Sequence, residues 1–490
     1  MNVRPLATEA RSEPPHCWKS MVNYGFVIDN RSCIGCHACT VACKSEHDIP
    51  IGVNRTHVKY IEKGTFPNSS REFSVHRCNH CEDAPCVTIC PTTALFTRPD
   101  GIVDFDDARC IGCKSCMQAC PYDALYIDPD QGTAAKCNYC VHRLENSYEP
   151  ACVIVCPTEA IISGDLDDPG SKIAQLVATH DTNVRKPESG AKPNVFYIEA
   201  SEEMLNPAAT ERTRAGMWSE QAAGVGHFAK YAEKRLGAAD TDSLLIQLAL
   251  EKKASEAPPR DRALIHDVAA KLADESPQAK RSYDQPSKGI LWGWEVSAYI
   301  WTKAIASGTY LVAMLLWLGG YLEMDVQLWW LVVGTGLAFL GITSVLLVLD
   351  LDRPDRFLYV MLRPNWSSWL VRGAYLLVGF GGILAATLAV LFFELGEAPL
   401  RWLAFAGVPL SALTAIYTAW LFQQAKGRSW SRDAALPAKF MLETVIIGSA
   451  TLLILVVPAP IYILAALAVL AAALLHGRKV VQEPQLESLI

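Results

Sequence analysis

The hydrophobic pattern divides the chain in two. Up to about residue 290, apolar and polar positions alternate in short runs broken by turn residues. From 291 to 477 long apolar runs take over, and six qualify as membrane spans: about 293–319, 327–349, 369–393, 401–423, 438–457 and 460–476. The last is short, and only Pro458-Ala459-Pro460 separates it from the fifth, so one bent segment in place of two also fits. The pattern predicts a mixed N-terminal domain over 22–200 and an all-α transmembrane bundle of about six spans over 291–477.

The remaining stretches are connectors and ends. Residues 201–290 alternate helical-looking runs with proline-bearing breaks, as in TDSLLIQLALEKKASEAPPRD, and are expected to form a partly helical connector. Residues 1–21 form an N-terminal extension with neither an apolar h-region nor a twin-arginine pair, so no export signal is expected there. Residues 478–490 form a polar tail.

Composition changes the picture through cysteine. Sixteen of the seventeen cysteines fall into four blocks: Cys33-Cys36-Cys39-Cys43, Cys78-Cys81-Cys86-Cys90, Cys110-Cys113-Cys116-Cys120 and Cys137-Cys140-Cys152-Cys156. Blocks one and three follow C-x2-C-x2-C-x3-C. In that run three thiolates on a tight loop hold one cubane, and the fourth points to its neighbour. A proline follows Cys90, Cys120 and Cys156, as such runs favour, whereas Lys44 follows Cys43. Zinc ribbons also use C-x2-C pairs, but they rarely end in C-x3-C-P. Cys17 is left over as a bystander thiol. A formal net charge of −7 gives no basic footprint for nucleic acid.

The stretches CNHCEDAPCVTICPTTAL, CIGCKSCMQACPYDAL and KCNYCVHRLENSYEPACVIVCPTEAI resemble the four-cluster ferredoxin subunits of the dimethyl-sulfoxide reductase superfamily, the membrane-bound molybdopterin oxidoreductases. The resemblance implies an α+β double ferredoxin-like domain with four [4Fe–4S] clusters. It also implies crosswise pairing of the blocks, first with fourth and second with third. Cys33, Cys36 and Cys39 would then share a cluster with Cys156, and Cys137, Cys140 and Cys152 with Cys43. Cys78, Cys81 and Cys86 would take Cys120, and Cys110, Cys113 and Cys116 would take Cys90. Lys114, Lys136, His80 and His142, beside these ligands, are either tuning groups or plain loop residues.

The membrane half, with LVLDLDRPDRFLYVMLRPNWSSWLVRGAY, GWEVSAYIWTKAIASGTY and IYTAW, resembles the NrfD-like subunits of polysulfide reductase type. Those subunits exchange electrons with quinone and commonly have eight or more spans. Polar side chains inside spans are costly and mark function. Glu295, Tyr299 and Lys303 recur every four residues on one helix face, and Tyr417 and Glu443 lie toward the same leaflet. Together they form the expected site for menaquinone or ubiquinone, or for a relay of its protons. Asp350, Asp352, Arg353 and Arg356 read as a loop network that docks the ferredoxin domain, and the many tryptophans, Trp292 among them, read as interface anchors.

Basic loops lie on the N-terminal side of every hairpin, among them Arg353, Arg356, Arg363 and Arg372, and Lys426, Arg428 and Arg432. The positive-inside rule therefore puts the ferredoxin domain on the cytoplasmic face of the cell (inner) membrane. The reading is an electron-transfer and membrane-anchor subunit, not catalytic for the substrate by itself. It would work between a separate molybdopterin-containing catalytic subunit and the quinone pool of the lipid bilayer. A hydrogenase- or heterodisulfide-type complex and a zinc-binding membrane adaptor are the alternatives.

Overall fold

The computed structural model describes residues 22–64, 69–207, 210–212, 279–285, 288, 291–457 and 460–481. The N-terminal extension with Cys17, most of the expected connector and the end of the tail lie outside them.

Cysteine loops dictate the N-terminal fold, because each must turn tightly around its thiols. In the first and third blocks the sequence Cys-Ile-Gly-Cys puts Gly35 at φ 67° and Gly112 at φ 69°. His37 and Lys114, just after the second cysteine, also take left-handed backbone at φ 60° and 58°. A short helix then starts within each of the first three blocks: α1 (Ala38–Glu46) carries Cys39 and Cys43, α2 (Pro85–Ile89) Cys86 and α3 (Ser115–Ala119) Cys116.

Two ferredoxin-like halves result. In the inner half, α2 packs on α3 beside hairpins β4 (Leu95–Thr97) with β5 (Val103–Phe105), and β6 (Tyr126–Ile127) with β7 (Ala134–Ala135). In the outer half, α1 packs on the short helix Ala151–Ile154 beneath a sheet whose centre is β1 (Tyr24–Asp29). Strand β1 pairs antiparallel with Ile161–Asp165 and parallel with Val195–Ile198, and all three strands bury apolar side chains. Strands β2 (His57–Lys63) and β3 (Ser70–His76) form a second sheet, extended by Lys280–Tyr283.

The membrane half is a helix bundle. Five helices are long and apolar enough to cross a bilayer: α4 (Trp294–Leu318), α5 (Val326–Leu349), α6 (Trp369–Phe392), α7 (Glu397–Gln424) and α8 (Leu436–Val456). A sixth, α9 (Pro460–Val481), turns back against α8 and α4, and its apolar core, Ile463–Gly477, is shorter. Two antiparallel helices therefore replace the single bent segment: α8 ends at Val456, and α9 starts at Pro460, a first-turn position where proline is tolerated. The expected six spans become five of full length plus this shorter one. Helix α4 is central: 67 % of its apolar window is buried, against 28–50 % for the other four.

The two halves meet over loops 350–368 and 425–432. Arg353 donates to Gln131 O (3.1 Å), Arg356 to Asp107 O (2.7 Å) and Cys110 O (3.1 Å), and Asn365 to Cys90 O (2.7 Å). Lys114 pairs with Asp352 at 3.1 Å, and a Cβ on Gly112 would stand 2.6 Å from that of Asp352. Only glycine allows the loop to approach so closely.

Candidate functional site: a file of thiols ending at a membrane cavity

The sixteen thiols of the described residues are all free, and their mutual electrostatic neighbours sort them into four sets. Cys33 lies beside Cys36 and Cys156, and Cys39 beside Cys33. Cys43 faces Cys140 and Cys152, and Cys137 faces Cys43 and Cys152. Cys81 faces Cys78, Cys86 and Cys120. Cys116 faces Cys113, Cys110 and Cys90. This grouping is compatible with the crosswise pairing that the resemblance implies.

Neighbours between sets give an order. Cys39 reaches Cys152, Cys137 reaches Cys78, and Cys86 reaches both Cys90 and Cys116. The sets thus form one file, from the Cys33 set through the Cys43 and Cys81 sets to the Cys116 set.

The surroundings fit anionic clusters. Burial pushes the Cys39 thiol up to about 11 and those of Cys43 and Cys113 to about 12, so the thiolate form would have to be held by a positive charge beside it, as a metal cluster would supply. Backbone N–H groups aim at the sulfurs: Ala134 at Cys110 (3.3 Å) and Ala160 at Cys156 (3.2 Å). His47 lies 3.2 Å from Cys140 Sγ. Arg77 is fully buried; its Nη1 donates to Cys152 Sγ at 3.3 Å, while Nε and Nη2 have no protein partner. Cubane ligation sets thiols at the corners of a cluster, and among the described residues no three such donors crowd a single point.

The four loop residues singled out in the sequence separate into two kinds. Lys114 and His142 are taken up by carboxylates, Asp352 and Glu46. Lys136 is buried, bonds the carbonyls of Val103 and Cys137, and stands in the field of Cys86. His80 accepts from Val103 N at 3.2 Å.

The last set borders a cavity of about 230 Å³ between the two halves. Cys113 and Ile111 form its roof, Val296, Leu347 and Leu377 part of its walls, and Tyr299, Tyr417 and Asp350 its polar points. Trp292 also lines it, donating its indole N–H to Cys113 O at 3.3 Å and stacking near Phe422 and Trp430. Burial pushes the Asp350 carboxyl up to about 7, against the opposing charge of Lys114.

The five expected quinone-site residues divide. Tyr299 and Tyr417 line the cavity. Lys303 lies behind them: its ammonium sits 4.2 Å from the centre of the Tyr417 ring and donates to Ala415 O (3.1 Å) and to Thr418 Oγ1. Glu295 is outside the lining, although its charge reaches Asp350. Glu443 is further away, paired with His476 at 3.2 Å. Asp350 and Trp292, read from sequence as docking and anchoring residues, touch Lys114 and Cys113 of the iron–sulfur domain and also line the cavity. The sequence-level signal for Asp350 is its place at the end of an apolar run, inside the NrfD-like stretch LVLDLDRPDRF.

Residues 70–166 match the 4Fe-4S dicluster domain family, and residues 284–462 match the polysulphide reductase NrfD family. Among curated relatives, a tetrathionate reductase subunit of Salmonella typhimurium is 42 % identical over 201 residues, covering 40 % of this chain and 80 % of the relative. The chain belongs to the family of reductase iron–sulfur subunits.

Other relatives of this iron–sulfur subunit tell the same story. A polysulfide reductase component of Wolinella succinogenes is 44 % identical over 178 residues, covering 36 % of this chain and 93 % of the relative. The arsenate respiratory reductase iron–sulfur subunit ArrB of Shewanella sp. is 36 % identical, covering 36 % of this chain and 96 % of the relative. Each relative covers less than half of this iron–sulfur subunit, which carries an NrfD-type membrane bundle on the same chain.

Proposed function

We propose that this chain carries electrons between a separate molybdopterin-containing catalytic subunit and membrane quinone, through four [4Fe–4S] clusters held by the sixteen cysteines. The observation that carries this reading is the cavity, which has a cluster-set cysteine, Cys113, on one side and Tyr299, Tyr417 and Asp350 on the other. A quinone is a flat apolar ring with two carbonyl oxygens, and a largely apolar pocket with a few polar points suits it. The clusters supply one-electron transfer. The phenols of Tyr299 and Tyr417 and the carboxyl of Asp350 orient the ring oxygens and exchange protons with them, while Trp292 and Leu347 exclude water.

Reduction of one quinone consumes two electrons and two protons; oxidation of the quinol returns both. Tyr417→Phe and Asp350→Asn are each expected to slow quinol-linked turnover roughly ten- to hundred-fold. Iron content, about sixteen per chain, and cluster EPR should stay intact. Normal turnover in both variants would retire the cavity as the quinone site.

The same reading places the iron–sulfur domain on the cytoplasmic face, supported by the basic loops that dock it. In a Cys17→Ser background, Ala178→Cys puts a thiol on an exposed helix of that domain. It should resist a membrane-impermeant maleimide in intact spheroplasts and react after lysis. Labelling before lysis would reverse the orientation.

A further inference from the structure

Beyond the cavity, the bundle holds a second polar feature that the quinone reading leaves unused. Thr418 lies in interacting range of the side chains of both Tyr299 and Tyr417, and it accepts from the buried Lys303. On the other side of Lys303 is a gap of about 10 Å³, lined by Ser297, Lys303, Glu443 and Thr444. Such a gap approaches the room of one water molecule, and these four polar side chains stand in it among apolar neighbours such as Ile300, Phe440 and Ile447. Ser297 is buried, and its hydroxyl has no protein partner. A buried orphan hydroxyl that shares a gap with an ammonium and a carboxyl calls for a water. Glu443 then meets His476 of α9, whose side chain is 60 % exposed.

We infer that this file, Thr418–Lys303–Ser297–Glu443–His476, conducts protons between the cavity and the membrane surface on the iron–sulfur side. The inference rests on the quinone reading and adds the route and the side. For each quinone reduced, two electrons arrive from the Cys113 cluster and two protons move inward along the file; quinol oxidation reverses both flows. Electron entry and proton entry then share one face.

Sidedness follows from what the spans contain. Glu443 lies seven residues into α8, roughly 10 Å from its iron–sulfur end. Toward the opposite face, among the described residues, the spans carry no acidic or basic side chain until the exposed Glu397–Arg401 pair at the far rim. The charged groups around Glu443 are Lys303 from α4, His476 from α9, and on its own helix Lys439, which is committed to Asp433 at 2.6 Å.

The test uses the assembled complex in sealed vesicles. Glu443→Gln should lower kcat for quinol-linked turnover roughly ten- to hundred-fold with KM for quinol unchanged, and raise the solvent deuterium isotope effect. Glu443→Asp should restore most of the rate. In the wild type, protons released on quinol oxidation should appear on the iron–sulfur side. Wild-type clusters that stay oxidised with added quinol would overturn the quinone site, and the route with it. Clusters reduced normally, with an indifferent Glu443→Gln or with protons released on the opposite side, would overturn the route alone.

Discussion

Arg77 shows how one side chain can serve two neighbouring sites. It is buried without a carboxylate, a state that costs several kcal/mol unless anions compensate it. Its compensation comes from Cys39 of one thiol set and from Cys152 and Cys137 of the next, and its guanidinium also lies 4.4 Å from the centre of the Phe26 ring. With a [4Fe–4S] cluster in each of the two sets, as proposed above, a fixed positive charge there would favour the reduced, more negative state of both. Arg77→Gln should therefore lower both potentials, by on the order of 100 mV at an effective dielectric near 20. Arg77→Lys should recover part of the shift. EPR-monitored redox titration of the complex checks this, and unchanged potentials with intact clusters would refute it. The iron–sulfur character of the domain was legible because C-x2-C-x2-C-x3-C, the spacing of the first and third blocks, has one main chemical use. Arg77 was not, because a lone arginine before a cysteine has no periodic signature. The cavity-lining positions of Asp350 and Trp292 were not legible for a related reason: residues 350 and 292 come near Cys113 only through tertiary packing.

Among elements, α4 decides the geometry of the membrane half. It brings Tyr299 to the cavity and Lys303 behind it, and it crosses α8 without side chains between the two backbones. A Cβ on Gly308 would collide with Thr444 O, and one on Gly448 with the backbone of Gly308. The crossing sits about one turn from both Lys303 and Glu443. Gly308→Val must push the helices apart, at a cost of roughly 1–3 kcal/mol. We expect lower thermal stability and lost quinol-linked turnover, with cluster spectra preserved. Gly334→Ala, where nothing lies within 4 Å of the added carbon, should change stability by no more than about 0.5 kcal/mol. Equal loss in both variants would show that the crossing is not special. The spans themselves were readable to within a few residues, because bilayer thickness fixes the length of an apolar run. Close helix crossings were not, because a glycine in a membrane helix does not name its partner.

At the scale of the whole molecule, the file of thiol sets has two ends with different surfaces. The Cys116 end is wrapped by membrane loops that bond the carbonyls of Cys90 and Cys110. The Cys33 end is bare: Cys36 is exposed, and around it Ile34, Val41, Ile154 and Val155 are 56 %, 65 %, 53 % and 40 % exposed. All four come from loops or helices that carry ligands of that set or its neighbour, and α1 packs directly on the Ala151–Ile154 helix. Exposed apolar side chains grouped this way mark an interface. Electron transfer requires the catalytic subunit's nearest redox centre to approach one end of the file, and the opposite end is closed by the bundle. The partner should therefore dock on Ile34, Val41 and Ile154. Val41→Glu combined with Ile154→Lys should weaken copurification of the catalytic subunit roughly thirty-fold or more, the effect of losing hot-spot contacts. Cluster content and reduction by quinol should be unaffected, because neither substitution touches a thiol or the cavity. A full complement of catalytic subunit on the double variant would move the docking site elsewhere, and electrons would then have to enter the file from its flank.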